Sequence, residues 1–474
     1  MRRSPLRGAQ RVCAVRSLFV IELLSTQLSG KFCEIDQLAG IFLRFCQEHV
    51  EHLRLAYDSD VVCGLIGRET DALQEWFEEQ IEEDWLDESE LAAVAELLRG
   101  VARRVSDLFV PAEQAAVVAA RVAADALDRA HGHRFAGVFR GRGVTRIKPG
   151  DPIPVSRPPL KDLFRDDLGA NPWRFGPQLH ELAWLRILPQ LERGYEVLLS
   201  FESDDALADL RPDTRMAVAI PSGVLSDLHF DRTDQPEPRF SDVRPTSSPV
   251  QRKIILALLD EAEQAGVRIL LLPELSVDEE ALQAIQRWFA RPGRSVSLLV
   301  CGSRHVERDG QHRNVSPILL PGGRLIEHAK LSRSSLPLPA ADGAVVPHAE
   351  DIATNPPVIT VLMCGDWSFT VLIGTDLLEP GVDRIIELTG VRLVLVPACS
   401  PHTDPFEPVA GTLAARNLGV VLVGNLTDPG PDQPASAIIA RPFRENSIQR
   451  ILRSELNPPR LLFFYFARSH EMDS

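Results

Sequence analysis

The sequence has no pair of cysteines at the spacing that holds a zinc ion or forms a redox-active disulfide. Its seven cysteines are scattered along the chain, and no two of them form a Cys-x-x-Cys motif. Zinc-finger and thioredoxin-like sites are therefore excluded, and we expect no metal or other cofactor. An odd and scattered set of cysteines fits a reducing compartment, so we predict a cytoplasmic protein.

Basic charge is also scarce. The chain carries 51 Lys and Arg against 66 Asp and Glu, which gives a formal net charge of −15. This balance argues against a general nucleic-acid-binding surface. The one basic cluster, around Arg140 and Arg142, is better explained as a charged and solvated linker.

Long apolar runs are absent as well. No uninterrupted stretch is long enough to span a bilayer, so we expect no membrane segment. Four arginines precede an apolar run at the N-terminus, as they do in signal peptides. Because Arg16 and Glu22 interrupt that run and no clear cleavage site follows, we predict the start of a helix instead.

The chain is too long, at 474 residues, for one ordinary domain. Apolar residues at three- and four-residue spacing predict an all-α N-terminal domain over residues 1–130. Clusters of Gly, Arg and Pro then predict a linker with a short helical segment, Gln178 to Glu192, over residues 131–213. Strands alternate with helices from residue 214 to 468, which predicts an α/β domain.

A strongly acidic stretch lies between Glu75 and Glu90. Trp76, Phe77 and Ile81 fall among the acids at helical spacing. We interpret the stretch as one amphipathic helix with a solvated acidic face, and the alternative is a docking surface for a basic protein partner.

The segment from Ile359 to Ser400 organises the α/β half. Two apolar, β-branched runs flank Gly365-Asp366, which predicts a hairpin. A helix from Val382 to Thr389 and a buried strand follow. We call Gly374-Thr375-Asp376 the elbow. Its place between a strand and a helix puts it at the carboxyl end of a sheet, where reactive groups are usually presented.

This pattern resembles the nitrilase (carbon–nitrogen hydrolase) superfamily over roughly residues 215–466. The resemblance implies an αββα sandwich, with the glutamate of LLPELS, Glu274, as the general base and the lysine of HAKLS, Lys330, as the group that stabilises the oxyanion. In the family, a cysteine at the elbow attacks an amide or nitrile. This chain has Gly374 there, and a glycine offers no nucleophile. The run AARNLGVVLVGN, ending at Asn425, adds to the resemblance.

Other residues are candidates for the same site. Glu350 is the candidate for the family's second glutamate, and a solvated loop residue is the alternative. Asp376 matches the family's acid after the nucleophile, where a structural role is favoured. Cys399, at the end of the next strand, is the candidate for a relocated nucleophile, although a buried and inert cysteine is the simpler interpretation. Thr375 would need a base directed at its hydroxyl group.

Our leading hypothesis is a catalytically degenerate C–N hydrolase that binds a small-molecule amide or carboxylate-type ligand, or a partner, without turnover. The first alternative is an active amidase-type hydrolase that uses Cys399, and the second is a structural or assembly module. The resemblance also implies a homo-oligomer. If the assignment is right, Glu274, Lys330 and Gly374 lie together, and a Gly374→Cys thiol would be activated between them.

Overall fold

The computed structural model describes most of the chain between residues 32 and 466. The described residues are 32–155, 182–201, 210–211, 213–222, 225–233, 237–340, 343–364, 367–417, 419–426, 437–442, 451–454 and 460–466. They form a mixed α/β protein with two compact units. Of the described residues, the helical unit comprises 32–143, 147–155 and 182–190. The sandwich unit comprises 144–146 and the described residues from 191 to 466. The helix predicted near the N-terminus lies outside the described residues.

The helical unit is built around one long helix. Its helices are α1 (Ile35–Glu48), α2 (Val50–Tyr57), α3 (Asp60–Gln80), α4 (Glu88–Ser106) and α5 (Ala112–Gly141). The other four helices pack against α5. Most side chains of α5 are buried, and many of them are alanines, which let neighbouring helices approach on several sides.

The acidic stretch is not the single helix that we predicted. Helix α3 ends at Gln80, Trp85–Asp87 form a short strand paired with Phe32–Glu34, and α4 begins at Glu88. The cause is a capping box, in which the Asp87 carboxylate accepts from the Glu90 N–H at 2.9 Å and the Glu90 carboxylate accepts from the Asp87 N–H at 2.7 Å. This pair starts a new helix in the middle of the acids.

The linker predicted over residues 131–213 begins too early, and its predicted helix is not helical in the residues that the structure describes. Helix α5 continues past residue 130 to Gly141, and Leu185–Ile187 is a strand that pairs with Pro152–Pro154. The Asp128 carboxylate accepts the backbone N–H groups of Ala183 and Trp184 at 2.8 and 3.0 Å, which holds this segment extended against α5. The helical unit therefore contains two short ribbons and is not all-α.

The sandwich unit contains two large sheets and one small one. The seven-stranded sheet comprises Arg215–Ile220, Ile269–Leu271, Leu298–Val300, Arg304–Arg308, Gln311–Leu320, Arg324–Ala329 and Arg460–Tyr465. The eight-stranded sheet comprises Thr145–Ile147, Glu196–Ser200, Val358–Cys364, Trp367–Val371, Leu393–Cys399, Val420–Leu426, Ala437–Ala440 and Ile451–Ser454. The four-stranded sheet comprises Leu228–Thr233, Arg239–Pro245, Ser335–Pro339 and Val345–Glu350.

Four layers follow from the burial pattern of these strands. One apolar core lies between the two large sheets, and a second lies between the seven-stranded sheet and helices α6 (Ser248–Gln264) and α7 (Glu279–Phe289). Helices α8 (Val382–Thr389) and α9 (Phe406–Asn417) pack together beside the eight-stranded sheet. The central strands are buried on both faces, which is why they read as continuous apolar runs. The predicted α8 is confirmed, and it ends at Gly390 with a φ of 67°.

The eight-stranded sheet begins earlier in the sequence than we predicted. Glu196–Ser200 runs parallel to Val358–Cys364, and Thr145–Ile147 occupies the edge beyond it. Both strands come from the stretch assigned to the linker. Among the described residues, no helix combines the length and apolar character needed to cross a bilayer.

Two glycines of α5 provide a matched test of packing in the helical unit. A Cβ atom on Gly132 would overlap the indole ring of Trp184, whereas one on Gly137 would meet nothing within 4 Å. We expect Gly132→Ala to lower the free energy of unfolding by about 1–3 kcal/mol through overpacking. Gly137→Ala should raise it by about 0.5–1 kcal/mol through helix propensity. Chemical denaturation of both variants measures this, and equal effects would contradict the packing.

Candidate functional site

The candidate site lies where strands of the two large sheets end. Ile269–Leu271 of one sheet and Leu393–Cys399 of the other both run parallel to their neighbours, and their carboxyl ends meet. The Glu274 backbone N–H donates to the Ala398 carbonyl at 3.3 Å, and the Cys399 N–H donates to the Glu274 carboxylate at 2.9 Å. A main-chain N–H of the eight-stranded sheet therefore holds the Glu274 carboxylate, which follows a strand of the seven-stranded sheet.

Glu274 is set by a strained turn. Leu275 follows it with a φ of 59° and is buried, a left-handed conformation that costs a non-glycine residue about 1 kcal/mol or more. The Leu275 N–H is satisfied by the Ser303 hydroxyl at 3.1 Å. Gly302, with a φ of 65°, packs so closely that a Cβ atom there would overlap the Pro273 carbonyl. The surrounding loops thus fix the direction of the Glu274 side chain.

Lys330 lies between two buried carboxylates. Its Nζ is 2.6 Å from Glu274 Oε1, 2.7 Å from Glu350 Oε2 and 3.0 Å from the Ser334 hydroxyl. Lys330, Glu274 and Glu350 are each at most 2% exposed. We call these three residues the ion cluster. Glu350, the candidate second glutamate, is therefore part of a buried charged group and is not a solvated loop residue.

Two residues that we did not select from the sequence complete the hydrogen bonding. Asn314 Nδ2 donates to Glu274 Oε1 at 3.0 Å and to Glu350 Oε1 at 2.7 Å. His305 lies opposite Asn314 in the hairpin, and its Nε2 is 2.8 Å from Glu350 Oε1. Both are buried and bridge or orient the two carboxylates.

The pKa values of the two glutamates shift in opposite directions because their donors differ. Burial raises the pKa of Glu274, and the neighbouring Glu350 adds to this, against the opposing effect of Lys330. For Glu350, burial acts in the same direction, but Lys330 and the hydrogen bond from His305 outweigh it and hold its pKa below the usual range. Lys330 has a raised pKa, since the two carboxylates outweigh its own burial. The ion cluster therefore combines a charged Lys330 with a Glu350 whose pKa is lowered and a Glu274 whose pKa is raised.

Gly374 lies directly beside Glu274. Its φ is 53°, and a Cβ atom built on it would stand 2.5 Å from Glu274 Oε2, closer than carbon and oxygen can approach. The Glu274 carboxylate therefore occupies the space that a side chain at position 374 would need. The three predicted positions Glu274, Lys330 and Gly374 do come together, but the expected activation of a cysteine at 374 would first require Glu274 to move.

Asp376 joins the elbow to the segment after Lys330. Its carboxylate accepts the N–H groups of Leu331, Ser332 and Ile373 at 2.8–3.1 Å and the Ser332 hydroxyl at 2.7 Å. Burial raises its pKa to about 7, although Lys330 and these hydrogen bonds act against the shift. Asp376 fits the structural role that we predicted.

The remaining candidates have different surroundings. The Cys399 side chain is buried in an apolar cluster with Phe240, Leu275 and Leu336. Cys301 and Cys364 lie in the two main cores, and burial raises the pKa of Cys301 above its usual range. The Thr375 hydroxyl is 2.8 Å from the Ser332 hydroxyl. Asn425 contacts the backbone of Ser400 with both ends of its amide, at 2.8 and 2.9 Å.

Comparison with known proteins gives structural neighbours alone. No family model and no curated protein matches the sequence. A cysteine-to-alanine mutant of the Nesterenkonia AN1 amidase from the nitrilase superfamily aligns with a TM-score of 0.39 and 18% identity over 54% of this chain and 91% of its own. The same type of mutant in complex with butyramide aligns with a TM-score of 0.39 and 18% identity, over 54% of this chain and 92% of its own. An amidase from Nesterenkonia sp. aligns with a TM-score of 0.37 and 17% identity, over 54% of this chain and 90% of its own. The likeness concerns the α/β fold of about half the chain.

The contact between Gly374 and Glu274 can be measured by a double-mutant cycle. Gly374→Ala should lower the free energy of unfolding by about 2 kcal/mol or more, because the methyl group meets both a left-handed backbone and the carboxylate. In a Glu274→Ala background the same change should cost about 1 kcal/mol, since the backbone strain alone remains. Gly266→Ala, at a φ of 69° with nothing within 4 Å, is the control and should cost the same in both backgrounds. An additive cycle at position 374 would contradict the contact.

The pKa of Asp376 predicts a dependence of stability on pH. Its folded value of about 7 lies above its ordinary 3.8, so its contribution is complete below about pH 4 and is lost as the pH rises toward 7. In that window the free energy of unfolding should fall by up to about 1.4 kcal/mol per pH unit more steeply than in Asp376→Asn. Denaturation at several pH values measures this, with the exposed Asp383→Asn as the control. Parallel curves for the unmodified protein and Asp376→Asn would mean that the hydrogen bonds keep Asp376 ionised.

Proposed function

We propose that the sandwich unit is a nitrilase-like C–N hydrolase domain that binds a ligand or partner without catalytic turnover. The observation that carries this proposal is the contact between Gly374 and Glu274. The sequence resemblance puts the attacking thiol at position 374, where this chain has no side chain. The carboxylate that would serve as the general base fills the adjoining space.

Acyl transfer in such a site requires a nucleophile that forms a covalent intermediate and a base that accepts its proton. Here the base candidate, Glu274, already accepts hydrogen bonds from Lys330, Asn314 and the Cys399 N–H, and the Lys330 ammonium is committed to Glu274 and Glu350. An oxyanion would have to compete with two carboxylates for that ammonium. The arrangement therefore supports a stabilised charged group rather than a reaction centre.

The two alternatives gain less support. A nucleophile at Cys399 would have to leave its apolar surroundings, and it is the Cys399 backbone N–H that contacts Glu274. A purely structural module is compatible with the burial of the ion cluster. We retain the binding of a ligand or partner as the proposed function. An amide or carboxylate-type ligand beside Gly374 would require the Glu274 carboxylate to leave that space. The homo-oligomer, the protein partner of the acidic stretch and the cytoplasmic location remain proposals.

Assays with simple amides and nitriles test the proposal. We expect no turnover by the full chain, and we expect a haloacetamide reagent, mapped by mass spectrometry, to leave residues 374–376 unmodified. The matched variants Cys399→Ala and Cys301→Ala should behave like the unmodified protein. Turnover that is abolished by Cys399→Ala and retained in Cys301→Ala would overturn the proposal in favour of a relocated nucleophile.

A further inference from the structure

A groove crosses the outer helical layer of the sandwich unit, between α6 and α7. Its volume is about 330 Å³. It is lined by Arg252, Leu256, Asp260, Ala284, Arg287, Trp288 and Arg291. On α6 the lining residues Arg252, Leu256 and Asp260 are four positions apart, so they share one face. The others lie on α7, except Arg291, which follows the end of that helix at Phe289. The ion cluster contributes none of them.

Trp288 forms a fixed wall of this groove. The indole is 3% exposed, its N–H donates to the Asp260 carboxylate at 2.7 Å, and the Arg294 guanidinium lies 3.9 Å from the ring centroid. Asp260, the acid of the groove, is therefore already engaged by a neutral donor. Of the three arginines in the lining, Arg252 pairs with Glu280, so the excess of positive charge comes from Arg287 and Arg291.

Arg287, in the last turn of α7, and Arg291, two residues past the end of that helix, are both exposed. Neither side chain makes a hydrogen bond or ion pair with any residue that the structure describes. Arg252 forms a solvent-exposed pair with Glu280 at 3.1 Å, and such pairs are weak.

We propose that this groove binds a small ligand that carries a phosphate group. Guanidinium groups present parallel N–H donors that match phosphate oxygens, and two of them on neighbouring turns of the chain can bind the same anion. A volume of about 300 Å³ or more is typical of small-molecule sites. Arg287 and Arg291 contact the phosphate, Arg252 lies on the other helix, and Trp288 forms a wall. This site is independent of the elbow, so it stands whether or not the domain has hydrolase activity.

Calorimetric titration of the full chain with pyrophosphate, and separately with glucose 6-phosphate, tests the site and distinguishes an inorganic from an organic phosphate. The double variant Arg287→Gln with Arg291→Gln should weaken binding by about tenfold or more, because it removes both charged forks. The matched control is Arg99→Gln with Arg103→Gln, a pair at the same spacing near the end of α4. The control should bind as the unmodified protein does. Substitution of both groove arginines by lysine should retain part of the affinity.

Chemical modification provides a second readout on the unmodified protein. Pyrophosphate should protect Arg287 and Arg291 from phenylglyoxal, as mapped by mass spectrometry, and should leave Arg103 equally reactive. No binding of either phosphate would overturn the proposal. Equal weakening in the groove and control variants would also overturn it, since that result identifies a non-specific charge effect.

Discussion

The sandwich unit depends on one buried ammonium shared by two carboxylates. Lys330, which follows a strand of the seven-stranded sheet, binds Glu274 and Glu350, the latter at the end of a strand of the small sheet. The Cys399 N–H then ties Glu274 to the eight-stranded sheet. Strand ends from all three sheets therefore meet at one charged group. Removal of one member would leave its partner charged and buried, which typically costs about 3–5 kcal/mol.

The loops around this group are shaped to keep Glu274 in place. A left-handed Leu275, a glycine at 302 and hydrogen bonds from Asn314 and Cys399 all fix the carboxylate beside Gly374. Such strain persists where the surroundings overdetermine a conformation, and it is common at functional sites. Here the fixed group is directed at a residue with no side chain. The fixed direction of Glu274 is therefore a property of the loops that surround it.

Much of this arrangement could be read from the sequence, and more of it than we used. The positions of Glu274, Lys330 and the elbow follow from strand ends that β-branched and leucine-rich runs mark clearly. His305 was also within reach, because Asp309-Gly310 is a strong hairpin signal and counting back from it places His305 opposite Asn314. Glu350 could not be placed with the same argument, since a small sheet built from distant segments buries it. The short strands Thr145–Ile147 and Glu196–Ser200 were missed because their pairing is supplied entirely by tertiary neighbours.

The same energetics explain why the charged cluster persists beside a glycine. A glycine at position 374 carries no charge, so none of the buried charges depends on it as a partner. Glycine also suits the φ of 53° at that position. Glu274, Lys330 and Glu350 compensate one another, so the loss of any one is expensive even when no reaction uses it. The retained ion cluster is therefore explained by stability alone, and its presence does not require catalysis.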